Sequence, residues 1–192
     1  MVVRFNDRVT GNRQKFATGA KIIHIDVDGS ELSKTVNAVC GLRGDVKLTL
    51  KRLTELVNED KKPQWADTIE KLKEEEDSYL DNRDGLTPRR AILTLNKYLG
   101  ENTAVCTDVG QHQMMAARYF KYYNPRSIIT SGGLGTMGYG LPAAMGAKLG
   151  MPGKRVCLFV GDGGFQMNTQ ELCTILQTRV GVKIILQLVM PQ

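Results

Sequence analysis

Val156, Cys157, Leu158, Phe159 and Val160 form an unbroken apolar run between Arg155 and Gly161. Such a run, without polar alternation, predicts a strand buried on both faces, as in a parallel sheet. Gly161-Asp162-Gly163-Gly164 follows as a turn, and Asn168-Thr169-Gln170-Glu171-Leu172 reads as the start of a helix that ends near Arg179. Further strands are predicted over 21–26, 103–107, 127–130 and 182–189, and residues 1–5 read as the tail of another. The polar stretch 4–11 reads as a loop and 31–34 as a single helical turn. Helical stripes run through Val46, Leu48, Leu50, Leu53, Leu56 and Val57, and through Met114, Met115, Ala116, Tyr119 and Phe120. Thr87-Pro88 starts a helix through Tyr98, with proline at its first position. Residues 141–149 predict a helix whose Ala143, Ala144 and Ala147 allow close packing.

Strands alternating with helices specify an α/β fold of parallel, three-layer units. Pro63 ends the helix before it. Residues 64–80 read as a charged helix anchored by Trp65, Ile69, Leu72 and Tyr79, and 80–86 as a polar link. The expected organisation is therefore a first unit over 1–60, a linking segment over 61–86 and a second unit over 87–192.

Composition changes this picture little. The chain has 192 residues, enough to bury a sizeable core, and 42% of them are hydrophobic. The net charge of +6 raises the question of nucleic acid, but basic residues are intermixed with acids and no basic stripe is interleaved with aromatics. No apolar stretch reaches about 18 residues, so no membrane span is expected. Arg4, Asp7 and Arg8 interrupt any signal-peptide core. Cys40, Cys106, Cys157 and Cys173 show no Cys-x-x-Cys spacing and are expected as buried free thiols of a cytoplasmic protein.

The candidate chemistry lies where strands end. A strand, a glycine turn and a helix together make a place for a phosphate, because the helix start offers unpaired N–H groups. Asp162 beside a phosphate makes sense with a cation between them, which nominates it as a Mg²⁺ ligand. The competing reading is an aspartate that merely caps the helix. Asp26 ends a strand where α/β folds bind a ribose, or else caps the next turn. Gln111 and His112 open a helix and face a ligand, or are surface polarity. Met137 is a ligand contact or a core methionine.

Gly161-Asp162-Gly163-Gly164 resembles the diphosphate- and metal-binding motif of thiamine-diphosphate enzymes. Arg4-Phe5-Asn6-Asp7-Arg8-Val9-Thr10-Gly11, Lys21-Ile22-Ile23-His24-Ile25-Asp26, Gly110-Gln111-His112-Gln113-Met114 and Ser131-Gly132-Gly133-Leu134-Gly135-Thr136-Met137-Gly138 narrow the resemblance to the catalytic large subunits of acetolactate synthase. The resemblance covers nearly the whole chain, apart from 56–86 and the last few residues.

That resemblance implies a fragment of a transferase of branched-chain amino acid biosynthesis. Its parent would condense pyruvate with a second 2-oxo acid, pyruvate or 2-oxobutanoate, with release of CO₂. It implies thiamine diphosphate, Mg²⁺ and FAD as cofactors. Asp162 would bind Mg²⁺. Gln111, His112, Gly135, Thr136, Met137, Asp162, Gly163 and Gly164 would hold thiamine diphosphate. FAD would meet Val2, Val3, Arg4, Phe5, Asn6, Asp26, Val27, Asp45 and Val46, with Asp7 and Arg8 at the substrate channel. Residues 1–60 would be the end of the central, FAD-associated domain, and 87–192 the start of the thiamine-diphosphate-binding domain. The parent would be a homodimer or tetramer with a regulatory small subunit, without nucleic acid or membrane as partners.

Three departures bear on activity. The family's activating glutamate is expected in an N-terminal domain outside this chain, so no catalytic residue is assigned here. The C-terminal part that closes over substrate is also expected elsewhere. The closing Asn pair of the metal motif is replaced by Leu188-Val189, neither of which offers a side-chain oxygen. The isolated chain is expected to be inactive. The alternatives are another thiamine-diphosphate enzyme, an oxidase or decarboxylase, and a non-catalytic nucleotide-binding or oligomerisation module.

Overall fold

The structure is a computed structural model that describes residues 5–58, 62–81 and 85–187. The chain divides into two compact units, residues 1–73 and 74–192.

In the first unit a short helix α1 (Asp7–Thr10) precedes strand β1 (Ile23–Asp26), a 3-10 turn (Gly29–Glu31), strand β2 (Cys40–Arg43) and helix α2 (Val46–Leu56). The strands pair in parallel, with Ile23 opposite Cys40 and Asp26 opposite Arg43. The expected loop over 4–11 thus contains one helical turn, which Asn6 starts by accepting the Val9 N–H on its side-chain oxygen. Asp45 does the same for α2 through the Leu48 N–H, and this aspartate explains why the helix begins where it does. The strand tail expected over 1–5 lies, but for Phe5, outside the described residues.

Helix α3 (Pro63–Asp81) fills most of the 61–86 segment and continues across the division at residue 73.

The second unit contains α4 (Pro88–Leu99), β3 (Thr103–Thr107), α5 (Gln111–Tyr119), β4 (Ile128–Thr130), α6 (Gly140–Gly150), β5 (Arg155–Val160), α7 (Asp162–Met167), α8 (Glu171–Thr178) and β6 (Val182–Leu186). Thr87 caps α4 by accepting the Arg90 N–H, and Pro88 takes the first helical position as expected. The guanidinium of Arg155 donates to the carbonyls of Tyr98 and Leu99 and so closes the other end of α4 with a cation.

The four strands are all parallel, in the order β4-β3-β5-β6. Alternate residues of the central strands feed two cores. Ala104, Cys106, Val156, Leu158 and Val160 pack with Leu141, Ala144 and Ala147 of α6 and with Leu172 and Ile175 of α8. Val105, Cys157 and Phe159 pack with Ile92 and Leu99 of α4 and with Ala116 and Phe120 beside them. Both faces are covered, so period-2 alternation disappears from the sequence of β5 and every position from Val156 to Val160 is apolar. Two expectations change here. Asp162-Gly163-Gly164 is not a turn but the first residues of α7, and Gly161 is the residue before it. Cys106 and Cys157 are buried, whereas Cys40 and Cys173 are exposed.

Candidate functional site

The chain runs from β3 to β4 on one side, then crosses to β5 and β6 on the other. The strand order therefore reverses between β3 and β5. In open α/β sheets this switch point leaves a crevice at the carboxyl ends of the strands, where ligands bind. The segments leaving these two strands are Asp108-Val109-Gly110-Gln111-His112 and Gly161-Asp162-Gly163-Gly164.

Each opens a helix without a side-chain cap. Gly110 precedes α5 and Gly161 precedes α7, and neither N-terminus carries a side-chain hydrogen bond. Asp162 is therefore not the cap of its helix but its first residue, and it is exposed. Two sets of N–H groups are left for a ligand at neighbouring strand ends.

His112 lies between them. It is buried, and a side chain grown on Gly161 would meet its ring at 3.2 Å. The imidazole bonds the backbone carbonyl of Asp108, while its Nε2 is buried without a partner among the described residues. Burial lowers its pKa below 6.5, against the opposing pull of the Asp108 charge and carbonyl. Gln111 is exposed at the start of α5. Gln113 donates to the hydroxyl of Thr130 at 2.8 Å, and that hydroxyl meets Thr107 at 2.6 Å, so the first turn of α5 is tied to the ends of β3 and β4.

The Gly-rich segment folds onto the same end of the sheet. Ser131 accepts the Gly135 N–H on its carbonyl and the Thr136 N–H on its hydroxyl. Met137 is half-exposed rather than in the core, and its methyl lies 3.3 Å from where a Cβ on Gly163 would sit. Gly138 has φ +82°, a conformation that favours glycine.

Asp108 escaped the sequence reading. It is fully buried, and its carboxylate accepts the N–H groups of Val109, Gly138 and Gly140 at 2.9, 3.1 and 2.7 Å. The only signal for it in the sequence is its place one residue beyond a buried strand.

In the first unit, Phe5 stacks edge-on against His24 at 5.0 Å. Asn6 and Asp45 are occupied as helix caps, and Asp7 pairs with Arg13 at 2.9 Å. A cleft of about 320 Å³ is lined by Phe5, Asn6, Asp7 and Arg13 with Glu31, Lys34 and Thr35. Asp26 is buried and accepts the Asp28 N–H on one carboxylate oxygen, which satisfies the turn-capping reading. Its second oxygen and Nδ1 of buried His24 have no partner among the described residues. Val27 and Val46 are exposed. Val2, Val3 and Arg4, like Leu188-Val189, lie outside the described residues, and of Arg8 only the backbone position in α1 is described. The sheet end thus brings together Gln111, His112, Met137, Asp162, Gly163 and Gly164, while the FAD candidates belong to the other unit.

Among the described residues, no group of three or more His, Cys, Asp or Glu could hold a metal. No helix there is long and apolar enough to cross a membrane.

The family model of the C-terminal TPP-binding domain of thiamine pyrophosphate enzymes matches residues 108–187, and that of their central domain matches residues 2–53. The acetolactate synthase large subunit of Lactococcus lactis is 44% identical over 95% of this chain and 32% of its own length. A probable acetolactate synthase large subunit of Methanococcus aeolicus is 43% identical over 94% of this chain and 33% of its own length. The large subunit of acetolactate synthase isozyme 3 of Escherichia coli is 40% identical over 95% and 33%. The chain spans about a third of the length of these relatives. It belongs to the thiamine pyrophosphate enzymes, and among them it is similar to the large subunits of acetolactate synthase.

Proposed function

We propose that this chain carries half of the cofactor site of an acetolactate synthase, the enzyme that condenses pyruvate with pyruvate or 2-oxobutanoate and releases CO₂. The observation that carries this reading is the pair of uncapped helix starts at the switch point, α5 and α7, with the unpartnered Nε2 of His112 between them. A diphosphate supplies acceptors for the N–H groups at once, and for Nε2 when the imidazole takes up a proton beside the anion.

In this reading the N–H groups at the starts of α5 and α7 bind the diphosphate, with Gln111 and His112 at one end and Gly163 and Gly164 at the other. Asp162 holds Mg²⁺. Asp162 would offer it one exposed carboxylate, and a Mg²⁺ site of this kind would draw its other oxygens from phosphate and water. Gly135, Thr136 and Met137 line the position of the aminopyrimidine. Bound thiamine diphosphate supplies the carbanion chemistry, and the protein supplies orientation and electrostatics.

The first unit contributes to an FAD site in the same reading. The unpaired oxygen of Asp26 and Nδ1 of His24 offer a polar ligand two unsatisfied groups at the end of β1. Val2, Val3, Arg4, Phe5, Asn6, Val27, Asp45 and Val46 complete the FAD contacts in this reading, and of these Phe5 stacks on His24. Asp7 and Arg8 are assigned to the substrate channel, since an arginine suits a carboxylate. Residues 1–60 then belong to the central domain, 61–86 link it, and 87–192 belong to the cofactor domain. The complete enzyme is an oligomer served by a regulatory small subunit, and it works in the cytoplasm.

Calorimetric titration of this chain with thiamine diphosphate tests the reading. Saturable, Mg²⁺-dependent binding that Asp162→Ala weakens at least tenfold is expected. Mg²⁺-independent binding, or binding untouched by the substitution, would remove Asp162 from the metal site. A parallel titration with FAD tests the first unit, where Asp26→Ala should weaken binding. FAD binding without thiamine-diphosphate binding would favour a nucleotide-binding module.

A further inference from the structure

Gly138 is gripped on both sides of its own residue. Its N–H donates to Oδ1 of Asp108 at 3.1 Å, and its carbonyl accepts from Nδ2 of Asn168 at 2.6 Å. Asp108 lies at the end of β3, and Asn168 caps the carboxyl end of α7. Both contacts span 30 residues of sequence, so neither is a local turn. Asn168 is itself oriented by Gln170, which donates to its Oδ1 at 3.1 Å.

Asp108 does more than hold Gly138. Its other oxygen accepts the N–H of Gly140, the first residue of α6, whose preceding residue Tyr139 offers no side-chain cap. A buried carboxylate thereby caps α6 from a different element and sits at the positive end of that helix. The carboxylate is compensated by three backbone N–H groups. It also determines its neighbour across the site, because a Cβ on Gly164 would fall 2.2 Å from Oδ1 of Asp108. The second glycine after Asp162 is thus required by the buried carboxylate.

We propose that Asp108 and Asn168 are positioning residues of the cofactor site. They clamp Gly138 and thereby set its neighbour Met137 over Gly163. This rests on the reading of the site given above. The clamp joins the ends of β3 and α7 to the Gly-rich segment, so the diphosphate end and the Met137 end of the site move as one body. Asp108 must be a carboxylate. The isosteric amide of Asp108→Asn would set an NH₂ group against a backbone N–H, leaving two donors facing each other in a dry site.

The test uses the whole chain, with Asp108→Asn, Asn168→Ala and the core truncation Ile92→Ala as a stability control. Amide exchange followed by NMR on the ligand-free proteins reads the clamp directly. In Asp108→Asn the backbone amide that meets the new NH₂ group, that of Gly138 or that of Gly140, should exchange about tenfold faster or more, while those of Leu158 and Val160 keep their protection relative to global unfolding. Unchanged exchange at Gly138 and Gly140 would overturn the clamp.

Calorimetry with Mg²⁺ and thiamine diphosphate reads its consequence. Both site variants should bind about tenfold more weakly, whereas Ile92→Ala should lower the unfolding midpoint and leave affinity unchanged. Equal loss of affinity in Ile92→Ala would reduce Asp108 to a general stability role and overturn the positioning role. Absence of binding by the unsubstituted chain would overturn the cofactor reading, and the positioning role with it.

Discussion

Residues 1–73 and 74–192 both build parallel sheets, one with two strands and the other with four. What they bury differs in kind. Among the described residues, the buried side chains of the first unit are Thr10, His24 and Asp26, all polar. The second buries Ile92, Val105, Leu141, Leu158 and Phe159 almost completely. Helix α2 has no buried residue, and its Leu48 and Leu56 are 69% and 75% exposed. Helix α6 buries Leu141, Ala144, Met145 and Ala147. The apolar residues of β1 and α2 predict elements as well as those of β5 and α6 do. Burial requires layers on both faces of the sheet, and two strands do not provide them.

The largest expected consequence is in hydrogen exchange. Amides of β3 and β5 should open only with global unfolding, on the order of 5 kcal/mol or more, whereas those of β1 and β2 should exchange through openings near zero. Thiol labelling reports the same openings. Cys106 and Cys157 are buried and their pKa is pushed up to about 12, chiefly by desolvation, so they should react only on unfolding. Exposed Cys40 and Cys173 should react at once. Equal protection in the two units, or four thiols labelled rapidly in the native chain, would break the contrast.

A smaller effect is expected from truncation. Ile92 is fully buried among Val105, Ala116 and Phe159, so Ile92→Ala should cost roughly 2–5 kcal/mol in denaturant unfolding of the second unit. Leu48→Ala in α2 should stay within about 0.5 kcal/mol. A comparable loss at Leu48 would mean that its face is covered in solution.

The same contrast explains which features could be read from sequence. Strands β3 and β5 were legible because burial on both faces writes itself as a continuous apolar run. The Thr87-Pro88 start of α4 was legible because caps are local chemistry. Strand β2 was not, since Cys40-Gly41-Leu42-Arg43 has little strand pattern and exists through its pairing with β1. Helix α7 was not, because Asp162-Gly163-Gly164-Phe165 has poor helix propensity and tertiary contacts hold it. The glycine segments and Asp162 drew notice as motifs. Asp108 did not, because its partners Gly138 and Gly140 lie 30 and 32 residues away and only the fold brings them to its carboxylate.

The smallest effect is a pH dependence confined to the second unit. His112 is depressed below 6.5, chiefly by burial, so its neutral form belongs to the folded state. At pH values above 6.5 the imidazole is neutral in folded and unfolded chains alike, and its contribution to stability is fully present. As pH falls below 6.5 the unfolded chain takes up a proton that the folded chain refuses, and stability is lost until the folded pKa is reached. Thermal unfolding of the second unit should therefore fall between pH 7.5 and 5 more steeply in the unsubstituted chain than in His112→Asn, which keeps a polar group but cannot titrate. Parallel slopes would show that the folded imidazole takes up its proton as readily as the unfolded one. In the proposed cofactor site a bound diphosphate would reverse the sign, because an anion at Nε2 favours the charged imidazole. Repeating the two titrations with thiamine diphosphate and Mg²⁺ should bring the slopes together, which a histidine remote from the ligand would not do.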